Sequence, residues 1–310
     1  MRLRLACARL TFLVPYTADN LVFRSRRGLE SGVVNRVTAG DAGWKDLSAE
    51  IRTIQSGARW KGETGLSEAV IVLLGGRCSV TSNRGTWNEI GRRRNVFDGM
   101  PWALYLPKAT TFEVAALDDH LELAYGSAPT GGAERAPRLV TPRDVRVEVR
   151  GGHNNTRQIN SIIPPGFDCD RLVCVEVYTP SGNWSSYPPH KHDVHREENG
   201  TLIEADLEEL YCYKMSRPEG WALQRIYTED RSTDASVVAK DGDIVLVPEG
   251  YHPVCTGYGY DCYYLNFLAG SAQSLACTDD PEHAWVKETW TATDPRVPMV
   301  TLEMEKPVAP

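Results

Sequence analysis

No stretch of the 310-residue sequence approaches the roughly 20 consecutive apolar residues of a membrane span, so a membrane partner is not expected. C-x-x-C is missing as well. The eight cysteines, at positions 7, 78, 169, 174, 212, 255, 262 and 277, are scattered, which argues against a zinc ribbon or a thioredoxin-like redox pair. Cys212, Cys255 and Cys262 stand in apolar or aromatic runs, where a thiol acts as a small hydrophobe; a reducing cytoplasm is the expected setting. Basic clustering is scarce. The net charge is −7, and the densest run, Arg92-Arg93-Arg94, reads as a solvated turn, so nucleic acid is not an expected partner. Nor is a secretory leader expected: Arg9 divides the short apolar stretch that follows Arg2 and Arg4, and Pro15 ends it.

Sustained helical periodicity is the next absence. Instead, 26 glycines and 19 prolines punctuate the chain at short intervals, which suits many short strands joined by tight turns. Residues 69–74 form an apolar run ending at Gly75-Gly76, with a second run over 77–81, a hairpin pattern. Residues 126–142, rich in Ala, Gly, Pro and Thr, read as a crossing between two strand-rich regions. The expected organisation is an N-terminal extension over 1–19, a domain over 20–142, a second domain over 143–290 and a tail over 291–310. The two regions echo each other. Glu68 opens one apolar strand and Glu209 opens another, and each region has a later strand ending in proline, at Pro107 and Pro248. The fold class expected is all-β, with a β-barrel domain duplicated in one chain.

Candidate chemistry lies in the second region. His190 and His192, at i and i+2, share one face of an extended strand, while Lys191 has the opposite parity and points away. Glu208 and Glu209 bring carboxylates at the start of an aromatic strand, and His252 follows a strand that ends at Pro248. Imidazole nitrogen with carboxylate oxygen is a donor set for borderline divalent metals. Strand parity puts Glu209 with Tyr211 and Tyr213, and Glu208 with Leu210 and Cys212, without saying which face is the inner one. His195, in acidic, loop-like surroundings, is expected to face solvent. The first region has a single histidine, His120, in an acidic turn, so a metal site is not expected there.

The ordered set, H-x-H, then Glu, then G-D-apolar run-P-x-G-x-H, resembles the two cupin motifs. The local wording resembles the 5-deoxy-glucuronate isomerase family of myo-inositol catabolism: GNWSSYPPHKHD (182–193), LEELY (207–211), QRIY (224–227), DGDIVLVP (241–248), GYHP (250–253) and YYLN (263–266). This resemblance covers residues 20 to 290 and is loosest in the first region. It implies two cupin, jelly-roll-like domains, the first metal-free. It also implies one divalent metal (zinc, manganese, iron or nickel) on His190, His192, Glu209 and His252, and it is this resemblance that selects Glu209 over Glu208.

The implied reaction is an aldose–ketose isomerisation of 5-deoxy-glucuronate to 2-deoxy-5-keto-gluconate, which moves a proton between adjacent carbons through an enediol or enediolate. A sugar acid carries a carboxylate that an arginine can grip, and Arg157 and Arg225 are the candidates. Tyr264 is the candidate catalytic residue. Competing readings are a related uronate ketol-isomerase, a cupin dioxygenase and a sugar-binding cupin without turnover; a homo-oligomer is compatible with each.

Overall fold

The computed structural model of the protein describes residues 16–26 and 28–304. The expectations for residues 1–15, Cys7 and the leader among them, lie outside the described residues. No helix among the described residues is long and apolar enough to cross a membrane, and every described cysteine is free.

Strands and turns dominate, as the glycine and proline spacing predicts. In the first half a six-stranded sheet runs in the order 138–140, 103–106, 67–75, 120–129, 48–55, 32–37. It faces a four-stranded sheet in the order 59–63, 111–116, 78–82, 85–90. The second half repeats the plan. Its large sheet runs Ile244–Val247, Thr201–Met215, Cys262–Gly270, Val173–Thr179, Arg157–Ile163, Arg146–Arg150, opposite a four-stranded sheet around Trp221–Tyr227. The outer strand beside Ile244–Val247 comes from the far end of the chain. Val22–Phe23 pairs there, so the N-terminal arm crosses into the second half's sheet.

The strand Ser67–Gly75 shows why a continuous apolar run was needed. Ile71 and Leu73 point into the first half with Val80, Phe112 and Val114. Val70, Val72 and Leu74 point the other way, into a core shared with Cys174, Leu210, Cys212 and Phe267 of the second half. Both faces are buried, so alternation disappears. The two large sheets approach closely: a Cβ on Gly126 would lie 2.4 Å from the Phe267 ring, too near for any side chain there.

Two carboxylates fasten this contact reciprocally. Glu68 of the first half accepts hydrogen bonds from the backbone N–H groups of Asp170, Arg171 and Leu172 at 2.6–2.8 Å. Glu208 of the second half accepts from the N–H groups of Lys45, Asp46 and Leu47 at 2.8–3.0 Å. Arg171 and Asp46, one from each gripped loop, pair at 2.6 Å. The sequence echo is therefore displaced by one residue: Glu68 corresponds to Glu208, and the equivalent of Glu209 is Ala69.

One expectation is overturned. Arg94 is exposed, but Arg93 is not part of a solvated turn. Its guanidinium is buried and donates to the buried carboxylate of Glu176 at 3.1–3.3 Å. Glu176 also accepts from Asn160, Tyr178 and Tyr263 at 2.9–3.0 Å, so the pair is enclosed by polar partners where the halves meet. Burial acts to lower the Arg93 pKa, and the charge of Glu176 outweighs it, leaving the guanidinium charged.

Candidate metal centre

Parity, left open by the sequence, is resolved by the sheet packing. Leu210 and Cys212 face the first half and carry Glu208 with them, so Glu209, Tyr211 and Tyr213 face the interior of the second half. Glu209 meets two imidazoles there. Its Oε2 lies 2.9 Å from His192 Nε2 and 3.3 Å from His252 Nε2. All three side chains are buried, and they form a group able to hold a metal ion. His190 stands beside them, its ring centroid 4.8 Å from that of His252 and 6.5 Å from that of His192.

His252 supplies a direct test of fit. The carbonyl of Gly250, 2.9 Å from Nδ1, can only accept, so Nδ1 carries the proton and Nε2 offers a lone pair. That Nε2 is buried without a hydrogen-bond partner, which is costly unless something else meets the lone pair. Burial lowers the His252 pKa to about 4, so it is neutral and ready to ligate. His190 is likewise pushed down by burial and by His252. His192 differs: burial lowers its pKa, but the hydrogen bond and charge of Glu209 outweigh this, and the net shift is upward. A metal must displace the His192 proton. Co²⁺ uptake is therefore expected to weaken by about tenfold per pH unit as pH falls below that raised pKa, in chelator-competition titrations. A flat profile would contradict the arrangement.

A second group, Asp280, Glu282 and His283, is more open. Its Asp280 carboxylate already accepts from the Tyr227 hydroxyl and the Glu282 N–H.

His190, His192 and Glu209 line a cavity of about 660 Å³, its open mouth included. Ile159, Val175, Val177 and Leu268 give it an apolar wall, and Leu275 and Cys277 stand at the rim. Arg157 lines it too. Its buried Nη1 donates to the carbonyl of Tyr187 at 3.2 Å, and no carboxylate of the described residues pairs with it. Burial, helped by nearby Arg150, depresses its pKa to about 10. Tyr264 borders the same cavity, its hydroxyl 2.9 Å from Ser185 Oγ and 3.3 Å from Ser186 Oγ. Burial raises the phenol to about 12, against the pull of both serines.

Arg225 does not reach the cavity, which corrects the sequence expectation. It lies on the small sheet, half-exposed, gripping Asp234 at 2.6–2.8 Å and stacking over Tyr227. As expected, His195 is exposed, bonded to Ser271, and Lys191 turns away from the histidines. Sequence reading missed Tyr211, Asn266, Ser186 and Arg150. Parity from Glu209 marks Tyr211 and parity from Tyr264 marks Asn266; nothing local marks Ser186 or Arg150.

Comparisons with known proteins agree with this geometry. The KduI/IolB family profile matches residues 21–286. A 5-deoxy-glucuronate isomerase of Geobacillus thermodenitrificans is 44% identical over 87% of this chain and 97% of its own. That of Bacillus subtilis strain 168 is 34% identical over 83% and 93%. The crystal structure of an IolB-like protein from Salmonella typhimurium LT2 superposes with a TM-score of 0.81 at 38% identity, covering 86% of this chain and 98% of that one. An oxalate decarboxylase of Lactobacillus farciminis, 11% identical with a TM-score of 0.59 over 85% and 87%, shares the fold alone. The order of histidines first read in the sequence, the cavity they line and the length of these matches lead to one statement: the chain belongs to the KduI/IolB family.

Proposed function

We propose that this chain is a 5-deoxy-glucuronate isomerase of myo-inositol catabolism, forming 2-deoxy-5-keto-gluconate, with one divalent metal held by His190, His192, Glu209 and His252. The observation that carries the reading is the cavity's two-ended polarity. One wall has imidazoles and a carboxylate around an unpartnered Nε2; another has a buried guanidinium without a counter-ion. An aldehyde sugar acid fits both, because its carbonyl end meets the first and its carboxylate the second. A bound divalent ion would supply Lewis acidity at the substrate carbonyl.

The chain's own residues bind, orient and shield the substrate. Arg157 orients the substrate through its carboxylate. Tyr264, protonated at neutral pH, donates its hydroxyl proton to Ser185 and presents its oxygen at the cavity wall as an acceptor for a substrate hydroxyl. The apolar wall limits water around the reacting carbons. An anaerobic NMR assay with 5-deoxy-glucuronate tests the function: loss of the aldehyde-derived signals without oxygen supports it. Oxygen consumption would point to a dioxygenase, and binding without turnover to a sugar-binding protein. In the same assay Arg157→Met is expected to raise KM about 10- to 100-fold, the weight of a lost charged hydrogen bond of roughly 1.5–3 kcal/mol. An unchanged KM would remove Arg157 from the substrate's carboxylate.

A further inference from the structure

Lys191 separates two histidines yet turns its ammonium group away from both. It is buried, 8% exposed. Its Nζ donates to Asp193 Oδ1 at 2.6 Å and Glu204 Oε1 at 3.0 Å, with the more exposed Glu229 at 3.7 Å. Each of the two near carboxylates holds something else. Asp193 Oδ2 accepts from the Gly250 N–H at 2.8 Å, and the Gly250 carbonyl in turn accepts from His252 Nδ1 at 2.9 Å. Glu204 lies on the strand that bears Glu209; its Oε1 accepts from the Asp193 N–H at 3.1 Å and its Oε2 from the Thr278 hydroxyl at 2.6 Å. Thr278–Asp279 is the strand paired with His190–Lys191. Gly250 itself leaves no latitude, since a Cβ there would lie 2.4 Å from the Tyr227 carbonyl oxygen.

We infer that Lys191 is a positioning residue for the metal centre: its ammonium ties together the separate segments that carry His190 and His192, Glu209, and His252. The inference rests on the metal reading of that centre. A single charge behind the site sets where its donors stand. The ammonium holds the buried carboxylate of Glu204 and the partly buried one of Asp193, which would otherwise repel each other, and Asp193 transmits the hold to the turn that fixes the His252 tautomer. Without the ammonium, Asp193 is free to leave Gly250, and His252 loses its orientation relative to Glu209.

The test is binding of Co²⁺ alone to the metal-stripped full-length protein, followed by its visible absorption spectrum and by titration. Lys191→Met is expected to bind Co²⁺ about 10- to 100-fold more weakly, with a shifted spectrum, as loss of a supporting partner does elsewhere. Lys191→Arg, which keeps the charge, is expected to recover most of both. Should Lys191→Met not fold, the double variant Lys191→Met, Glu204→Gln removes a stranded charge together with the tie, and is expected to fold and show the same weakened binding. Wild-type Co²⁺ affinity and spectrum in either the single or the double variant would overturn the inference while leaving the metal reading intact. A wild-type protein that takes up no Co²⁺ would overturn the metal reading and, with it, this inference.

Discussion

Glu209→Gln is expected to abolish isomerisation, whereas the neighbouring Glu208→Gln leaves it near the wild-type rate. Glu209 Oε2 bonds His192 Nε2 at 2.9 Å and lies 3.3 Å from the unpartnered His252 Nε2. Its neutral amide would remove the only carboxylate in the His192–Glu209–His252 group. Several kcal/mol of electrophilic stabilisation depend on that group, so kcat/KM should fall by about 10³-fold or more. Glu208 instead holds three backbone N–H groups of the other half. Its replacement should leave the catalytic wall untouched and lower stability by on the order of 2 kcal/mol, because an amide presents N–H where acceptors are required. Steady-state kinetics and thermal denaturation on both variants separate the roles. An active Glu209→Gln enzyme, or an inactive Glu208→Gln enzyme of normal stability, would reverse the assignment of the two glutamates.

Arg93→Met should produce the largest loss of stability, about 3–5 kcal/mol, by stranding the carboxylate of Glu176 in the core. Arg93 and Glu176 side chains are 1% and 0% exposed, so water cannot replace the missing partner. The Asn160, Tyr178 and Tyr263 donors around Glu176 soften the loss without balancing the charge. The double variant Arg93→Met, Glu176→Gln removes both charges and is expected to regain most of the stability. Urea denaturation of the two variants reads this directly. A single variant as stable as wild type would mean that the buried pair contributes nothing beyond its volume.

How much of this was visible in the sequence depended on whether the deciding contact was local. The grouping of His192, Glu209 and His252 was legible because H-x-H parity, an acidic strand start and a histidine after a strand are short-range patterns. The all-β class was legible for a similar reason, since turns punctuate the chain at short intervals. Glu208 and Glu209 could not be separated by pattern, because their faces are distinguished only by the other half packing against Leu210 and Cys212. The repeat was read one residue out of step, with Glu68 matched to Glu209. A one-residue slip exchanges the two faces of a strand, and here it exchanged a residue of the candidate metal group for an interface residue. Arg93 looked like its neighbours because its partner lies 83 positions away. Arg225 fitted the motif resemblance, yet Asp234 on the adjacent strand claims it.

The crossing of Val22–Phe23 into the distant sheet has a consequence for biosynthesis. A ribosome delivers this strand long before its partner Ile244–Val247. Glu68 faces a similar wait, because the loop it grips, Asp170 to Leu172, belongs to the half made second. The nascent first half can assemble its own inner core, with Tyr105 donating to Glu68 at 2.8 Å and Asn35 to the Phe23 carbonyl at 2.7 Å, but the strand that pairs with its arm and the loop that Glu68 grips arrive only with the second half. Final consolidation is therefore a late event, and the arm stays an unpaired edge during elongation, when chaperones have most reason to cover it.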